Sequence, residues 1–197
     1  MADTKISDLT DGTTANSTDQ VPIARGGSNF YVTPEYLSTY VGVSGAAVQS
    51  CHAGMYISST ASTTITVAGT YYKMAGTTTS TALLRFTMPT NNRLTYTGTR
   101  SRHFHIVGQT SISPDAGNNQ TLGIQIWHWD DSAGSGSLLT HSIARTIMAS
   151  ADVFQMATHA DVALDTNDYL ELHVTNETST NGVTAENMYV FCCAMPG

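Results

Sequence analysis

The sequence predicts a mainly β protein: an extended N-terminal arm with one short helix, followed by an antiparallel sandwich or jelly roll. Three observations carry this. Apolar residues alternate with polar ones over six short runs after residue 60. Clusters of turn residues (GTTTST, PTNN, SPDAGNN, DDSAGSGS, LDTND, NETSTNG) separate those runs. Charged residues make up only 12% of the 197-residue chain, and Thr, Ser, Asn and Gly stand in their place. Threonine is β-branched and favours extended backbone.

Residues 1–32 are polar and irregular, with no hydrophobic periodicity. Small apolar residues (Ile6, Leu9, Val21, Ile23, Phe30, Val32) are spaced along them, too few to build a core. TPEYLSTYV then reads as a helix over 34–41. Thr33 can cap it, Pro34 presets the first helical φ, and Glu35 complements the dipole. Tyr36, Leu37, Tyr40 and Val41 form its apolar stripe. So short a helix must dock to be stable. GVSGAAVQS follows as a flexible joint. The expected organisation is therefore an arm over 1–45 and a self-sufficient knob over 50–197.

Within the knob, TITVAG places Ile65 and Val67 on one strand face. LLRFTMP aligns Leu84, Phe86 and Met88 against Leu83, Arg85 and Thr87. RLTYTG places Leu94 and Tyr96 inward, and HFHIVG does the same with Phe104 and Ile106. TLGIQIWHW aligns Leu122, Ile124 and Ile126, and YLELHVTN sets Leu170, Leu172 and Val174 against Tyr169, Glu171 and His173. MYVFCCAM differs, being apolar on both faces: Met188, Val190, Cys192 and Ala194 on one, Tyr189, Phe191, Cys193 and Met195 on the other. A one-sided sandwich strand should alternate with polar residues. The second face is covered either by loops of the same chain or by a neighbouring subunit, and the subunit is preferred. Tyr189, Phe191, Cys193 and Met195 are then its contact residues.

The net charge is −7 and no run of Lys and Arg occurs, which argues against nucleic acid and anionic membranes as partners. The N-terminus lacks a signal-peptide apolar core, and no apolar run approaches a membrane span. A soluble protein made in a cytoplasm is expected. The three cysteines, Cys51, Cys192 and Cys193, form neither a disulfide framework nor a zinc pattern and read as small buried hydrophobes.

Catalytic motifs are missing: no nucleophile elbow, Walker loop, GxGxxG or HExxH occurs. A non-enzymatic protein without cofactor is expected. Asp130-Asp131-Ser132 lacks calcium-loop spacing and reads as a solvated turn. His103 and His105 share a strand face and could chelate a metal only with further ligands, such as symmetry-related copies. WHWDD is the most ligand-like stretch, with Trp127, Trp129, Asp130 and Asp131 as candidates for holding a sugar. Packing in a core or interface is the commoner role of such rings.

The segment TKISDLTDGTTANSTDQVPIARGGSNFYVTPEYL resembles the N-terminal module of many tailed-bacteriophage virion proteins. Its pattern is carried by Lys5, Ile6, Ser7 and Leu9, then Asp19, Val21, Pro22 and Ile23, then Gly26 and Gly27, then the helix from Pro34. TITVAGTYYKMAGTTTS, RFTMPTNNRLTYTG, VTAENMYV and LDTNDYLELHVTN resemble the C-terminal β-module of phage fibre, spike and head-decoration proteins, similar to a TNF/C1q-like jelly roll. The resemblance implies a homotrimeric virion protein, with the last strand near the three-fold axis. The arm would dock on a phage capsid protein, or on a tail or baseplate protein, through Ile6, Leu9, Val21, Pro22, Ile23, Phe30, Val32, Tyr36 and Leu37. The short chain without a shaft favours a capsid decoration (cement) or head fibre protein. The alternative is a tail fibre whose knob recognises a host-surface glycan or protein.

Overall fold

The computed structural model describes residues 51–195 and, for the arm, the backbone of two strands, β1 (Val21–Arg25) and β2 (Ser28–Val32). The chain divides into two compact units, Met1–Gln49 and Ser50–Gly197.

In the first unit β1 and β2 pair antiparallel, with Val21 opposite Val32 and Ile23 opposite Phe30. This corrects the expectation of an irregular segment. Only Gly26 and Gly27 lie between the strands, and two short apolar runs flanking a Gly-Gly pair are a hairpin signal. The signal is diluted when the polar residues before it share the same window. Val21, Pro22 and Ile23 thus fall on β1, and Phe30 and Val32 on β2. The expected helix over 34–41, with Tyr36 and Leu37, lies outside the described residues, as do Ile6 and Leu9.

The second unit holds β3 (His52–Ile57), β4 (Ala61–Thr63), β5 (Tyr72–Lys73), β6 (Thr78–Leu84), β7 (Phe86–Thr87), β8 (Leu94–Tyr96), β9 (Arg102–Pro114), β10 (Gln120–Asp130), β11 (Ser135–Leu138), β12 (Ala144–Met148), β13 (Phe154–Leu164), β14 (Tyr169–Asn176) and β15 (Val183–Ala194). They form two sheets. The front sheet runs β13-β9-β15-β3-β6, with β4 also on β15. The back sheet runs β11-β10-β14-β8-β7, with β12 also on β10 and β5 on β14. All pairings are antiparallel. From β8 onward the chain passes from sheet to sheet (β8 back, β9 front, β10 to β12 back, β13 front, β14 back, β15 front). That connectivity makes the expected jelly-roll sandwich.

The core follows from the alternation. Phe104, Ile106 and Ile112 of β9, Leu122, Ile124 and Ile126 of β10, Leu170, Leu172 and Val174 of β14, and Met188, Val190 and Cys192 of β15 are all buried. Phe86, Tyr96 and Phe104 form a three-ring cluster at one end, with centroids 5.1–5.3 Å apart and tilted or edge-on planes. Burial pushes the Cys192 thiol up to about 12. Cys51 is buried as well, Cys193 half-buried, and none is bonded to another.

Two expected strands differ. TITVAG is not a strand: Ile65 is buried, but Val67 is exposed in the irregular segment between β4 and β5. LLRFTMP is not one strand but two, because β6 belongs to the front sheet and β7 to the back. Arg85, between them, adopts a left-handed backbone (φ 65°) that turns the chain from one layer to the other. Alternation across such a break looks continuous in sequence.

One buried polar residue ties the back sheet together. Asn92, fully buried at φ 51°, donates through Nδ2 to the Met74 carbonyl (3.0 Å) and the Leu172 carbonyl (2.8 Å). Its Oδ1 accepts from the Leu172 amide (3.2 Å). The turn before β8 is thereby fastened to β14 by a side chain that mimics a strand.

Candidate functional surfaces: an apolar sheet face and an aromatic–ionic patch

The two sheets present different outer faces. On the front sheet the register aligns side chains in rows across the strands. One row runs Ala157, Gln109, Tyr189, Tyr56, Thr79; the next His159, Val107, Phe191, Gly54; the next Asp161, His105, Cys193, His52, Leu84. Tyr189, Phe191, Cys193 and Met195 sit on this face, half-buried, while Met188, Val190 and Cys192 point into the core. Period two places them there. The sequence could not show that Tyr56, Val107 and Leu84 join them. Gly54 sits at the centre, where a Cβ would clash with Thr81 Oγ1 and press tightly on the Tyr189 hydroxyl. The result is an aromatic stripe that no described element of the chain covers.

A second set of exposed apolar side chains lies elsewhere. Ile147 on β12 is 68% exposed, and Val153 and Phe154 at the start of β13 are 57% and 51% exposed. Strands β12 and β13 are the edges of the back and front sheets. This set therefore marks one edge of the sandwich rather than a face.

The back sheet carries the aromatic–ionic patch. β10 and β14 pair so that Trp127 opposes Glu171 and Trp129 opposes Tyr169. The cross-strand diagonal brings Trp127 onto His173, with centroids 5.1 Å apart and planes within 6°. Trp129 stacks on Tyr169 at 5.6 Å and 10°. Arg93 lays its guanidinium 3.8 Å from the Tyr169 ring centroid, and its Nε donates to Glu171 Oε1 at 2.8 Å. Lys73 Nζ donates to the same oxygen at 2.9 Å, and His173 Nε2 lies 3.1 Å from Oε2. Gly136 leaves room for the Trp127 ring, which lies 2.6–2.8 Å from where a Cβ would be.

The Glu171 side chain is only 5% exposed. Burial pushes its pKa up, but hydrogen bonds from His173, Lys73 and Arg93 outweigh that and hold it at about 2. Such a carboxylate is permanently ionised and occupied, so it is a poor proton donor or acceptor near neutral pH. Among the described residues no group of three or more His, Cys, Asp or Glu is placed to hold a metal ion.

The tryptophans are where expected, on one face opposite Ile126. Asp130 and Asp131 are not beside them. Asp130 Oδ1 accepts from Ser132 Oγ (2.7 Å) and the Ala133 amide (2.9 Å), which also lowers its pKa. The Asp131 amide donates to buried Asp168, whose other oxygen accepts from the Asp165 amide and faces His128. The WHWDD carboxylates thus build a turn, and the carboxylate beside the rings is Glu171. Lys73, Arg93, Tyr169, Glu171 and His173 were missed as site residues. Alternation in YLELHVTN already set Tyr169, Glu171 and His173 on one face, but only strand pairing brings them to β10. His103 and His105 share the front face as expected. His105 Nδ1 is hydrogen-bonded to Asp161 Oδ1 (2.6 Å), and its ring lies 5.9 Å from that of His159.

No known protein family model and no curated protein sequence matches the chain. Among solved structures, murine APRIL at pH 5.0 is similar over 73% of this chain and 99% of that one, at 8% identity and a TM-score of 0.49. Structures of murine APRIL at pH 8.5 and pH 8.0 cover the same shares at 8% identity and a TM-score of 0.47. No helix among the described residues is long and apolar enough to cross a membrane.

Proposed function

We propose that this chain is a non-enzymatic structural protein of a tailed-phage virion, a trimeric capsid decoration or head fibre protein. Its first 45 residues dock on the particle, and residues 50–197 form the displayed knob. The observation that carries the assembly is the front-sheet face: Tyr56, Val107, Tyr189, Phe191 and Cys193 are presented on strands whose opposite faces are in the core. The occupant is a second copy of the same chain. The exposed edge residues Ile147, Val153 and Phe154 offer it a matching apolar surface at a different position. A face that meets a different site on its neighbour is a heterologous contact, which makes a ring of copies when the rotation closes. The virion role draws on the likeness of residues 4–37 to phage docking modules, and a short hairpin suits docking by strand pairing. Three arms from one trimer add avidity.

Native mass of the full chain tests the assembly. A species of three times 21.0 kDa is expected for the wild type and a folded monomer for Phe191→Asp. A monomeric wild type overturns the assembly. For the virion role, deletion of residues 2–44 should leave a soluble trimer that is absent from purified particles, and normal incorporation would refute it.

A second reading, a host-glycan-binding knob, draws on the back-sheet patch. The rings of Trp127, Trp129 and Tyr169 beside Arg93 and Lys73 combine flat apolar surface with donors for hydroxyls. A glycan array with no hits removes it.

A further inference from the structure

The front-sheet face holds more than apolar side chains. Of the seven histidines in the chain, four lie on it: His52 on β3, His103 and His105 on β9, and His159 on β13. Strand parity and register fix this. His52 opposes Cys193, His105 opposes both Cys193 and Asp161, His103 opposes Ala163, and His159 opposes Val107. Their chain neighbours Ala53, Phe104, Ile106 and Ala160 are all buried in the core. His103 and His159 are exposed, His52 and His105 half-exposed.

The groups facing them are few. β13 supplies Asp161, hydrogen-bonded to His105. β15 supplies Cys193 and Tyr189, and β3 supplies Tyr56. The facing strand β6 carries no titratable side chain over Thr78–Leu84. Arg85 and Arg102 stand at the end of the sandwich near Tyr96 and add positive charge there. Asp115 and Glu186 lie near the opposite end of the sheet, held by Ser62, Thr184 and Thr60. Asp115 is ten residues from His105 along β9, about 33 Å of extended chain. Among the described residues Asp161 is the carboxylate hydrogen-bonded to one of these imidazoles, and Asp165 follows β13 at the same end.

We propose that this histidine group makes self-association of the knob pH-sensitive, with acid separating the copies. The inference rests on the front face being the contact between copies. Protonating the four imidazoles adds four positive charges to this end of the face, repeated on every copy. Bringing such surfaces together requires removing the charges from water or releasing the protons, and both oppose association. Asp161 limits the effect by compensating one imidazolium.

Sedimentation equilibrium of the full chain across about pH 8 to about pH 5 reads this directly, with near-UV circular dichroism reporting that the knob stays folded. The wild type should associate at about pH 8. Its apparent dissociation constant should rise by up to about tenfold per pH unit below about 6 for each imidazole that must stay neutral in the assembly. A variant with His52, His103, His105 and His159 all changed to Gln should associate equally at both ends. Association of the wild type that is unchanged down to about pH 5 overturns the switch and leaves the assembly standing. So does equal acid dissociation of the four-glutamine variant. A wild type monomeric at about pH 8 overturns the assembly itself, and the switch with it.

Discussion

Glu171→Gln is the most informative single change in the back-sheet patch. It keeps the side chain's size and one carbonyl oxygen while removing the charge that Lys73, Arg93 and His173 share. The folded-state pKa of Glu171 is about 2 against an ordinary 4.5. A carboxylate with a depressed folded pKa contributes stability that is complete above the unfolded value and is lost as pH falls through the folded one. The window therefore runs from about pH 4.5 down to about pH 2. A difference of about 2.5 units at 1.36 kcal/mol per unit is about 3 kcal/mol. By about pH 2.5 less than about 1 kcal/mol of it remains. The assay is guanidinium unfolding of wild type and variant at a series of pH values. It is followed by the fluorescence of Trp127 and Trp129, the chain's only tryptophans. Subtracting the two curves removes every pH-dependent contribution the proteins share. The wild-type advantage should shrink by about 2 kcal/mol or more between about pH 5.5 and about pH 2.5. Parallel curves across that range would refute the account of Glu171 as an ionised hub.

Two further outcomes follow from the same sheet. Asn92→Ala removes the partners of the Met74 and Leu172 carbonyls and of the Leu172 amide, and places a Cβ-bearing residue without local hydrogen bonds at φ 51°. A loss of roughly 2–4 kcal/mol is expected in denaturant unfolding, and a loss under about 1 would show the links to be incidental. Gly136→Val drives its side chain into the Trp127 ring and should separate it from His173. Red-shifted tryptophan emission and a cost of roughly 1–3 kcal/mol are expected, and an unchanged spectrum would count against the stack.

Most of the architecture was legible because a half-buried strand writes its two faces into alternate residues. Leu94, Tyr96, Phe104, Ile106, Leu122, Ile124, Ile126, Leu170, Leu172 and Val174 all read correctly as core. Legibility failed where alternation continued through a change of partner. Arg85 turns the chain from the front to the back sheet, yet its neighbours keep the pattern of one strand. It failed again at residues 21–32, where two five-residue strands are too short to stand out from their polar surroundings. The candidate patch was half legible, its tryptophans and its outward carboxylate lying in separate segments with nothing local to link them.

By itself the sequence determined that the protein is a β-sandwich, which residues point inward on most strands, and that β15 is apolar on both faces. Each of these depends on residues one or two positions apart, whose directions the extended backbone sets. The tertiary structure alone decided which strands are neighbours, and so which side chains meet. Register placed Glu171 beside Trp127 and four histidines from three strands on one face, and put Asp130 and Asp131 into a turn. Register and sheet order follow from long-range packing of the whole core, which a local pattern of residues does not encode.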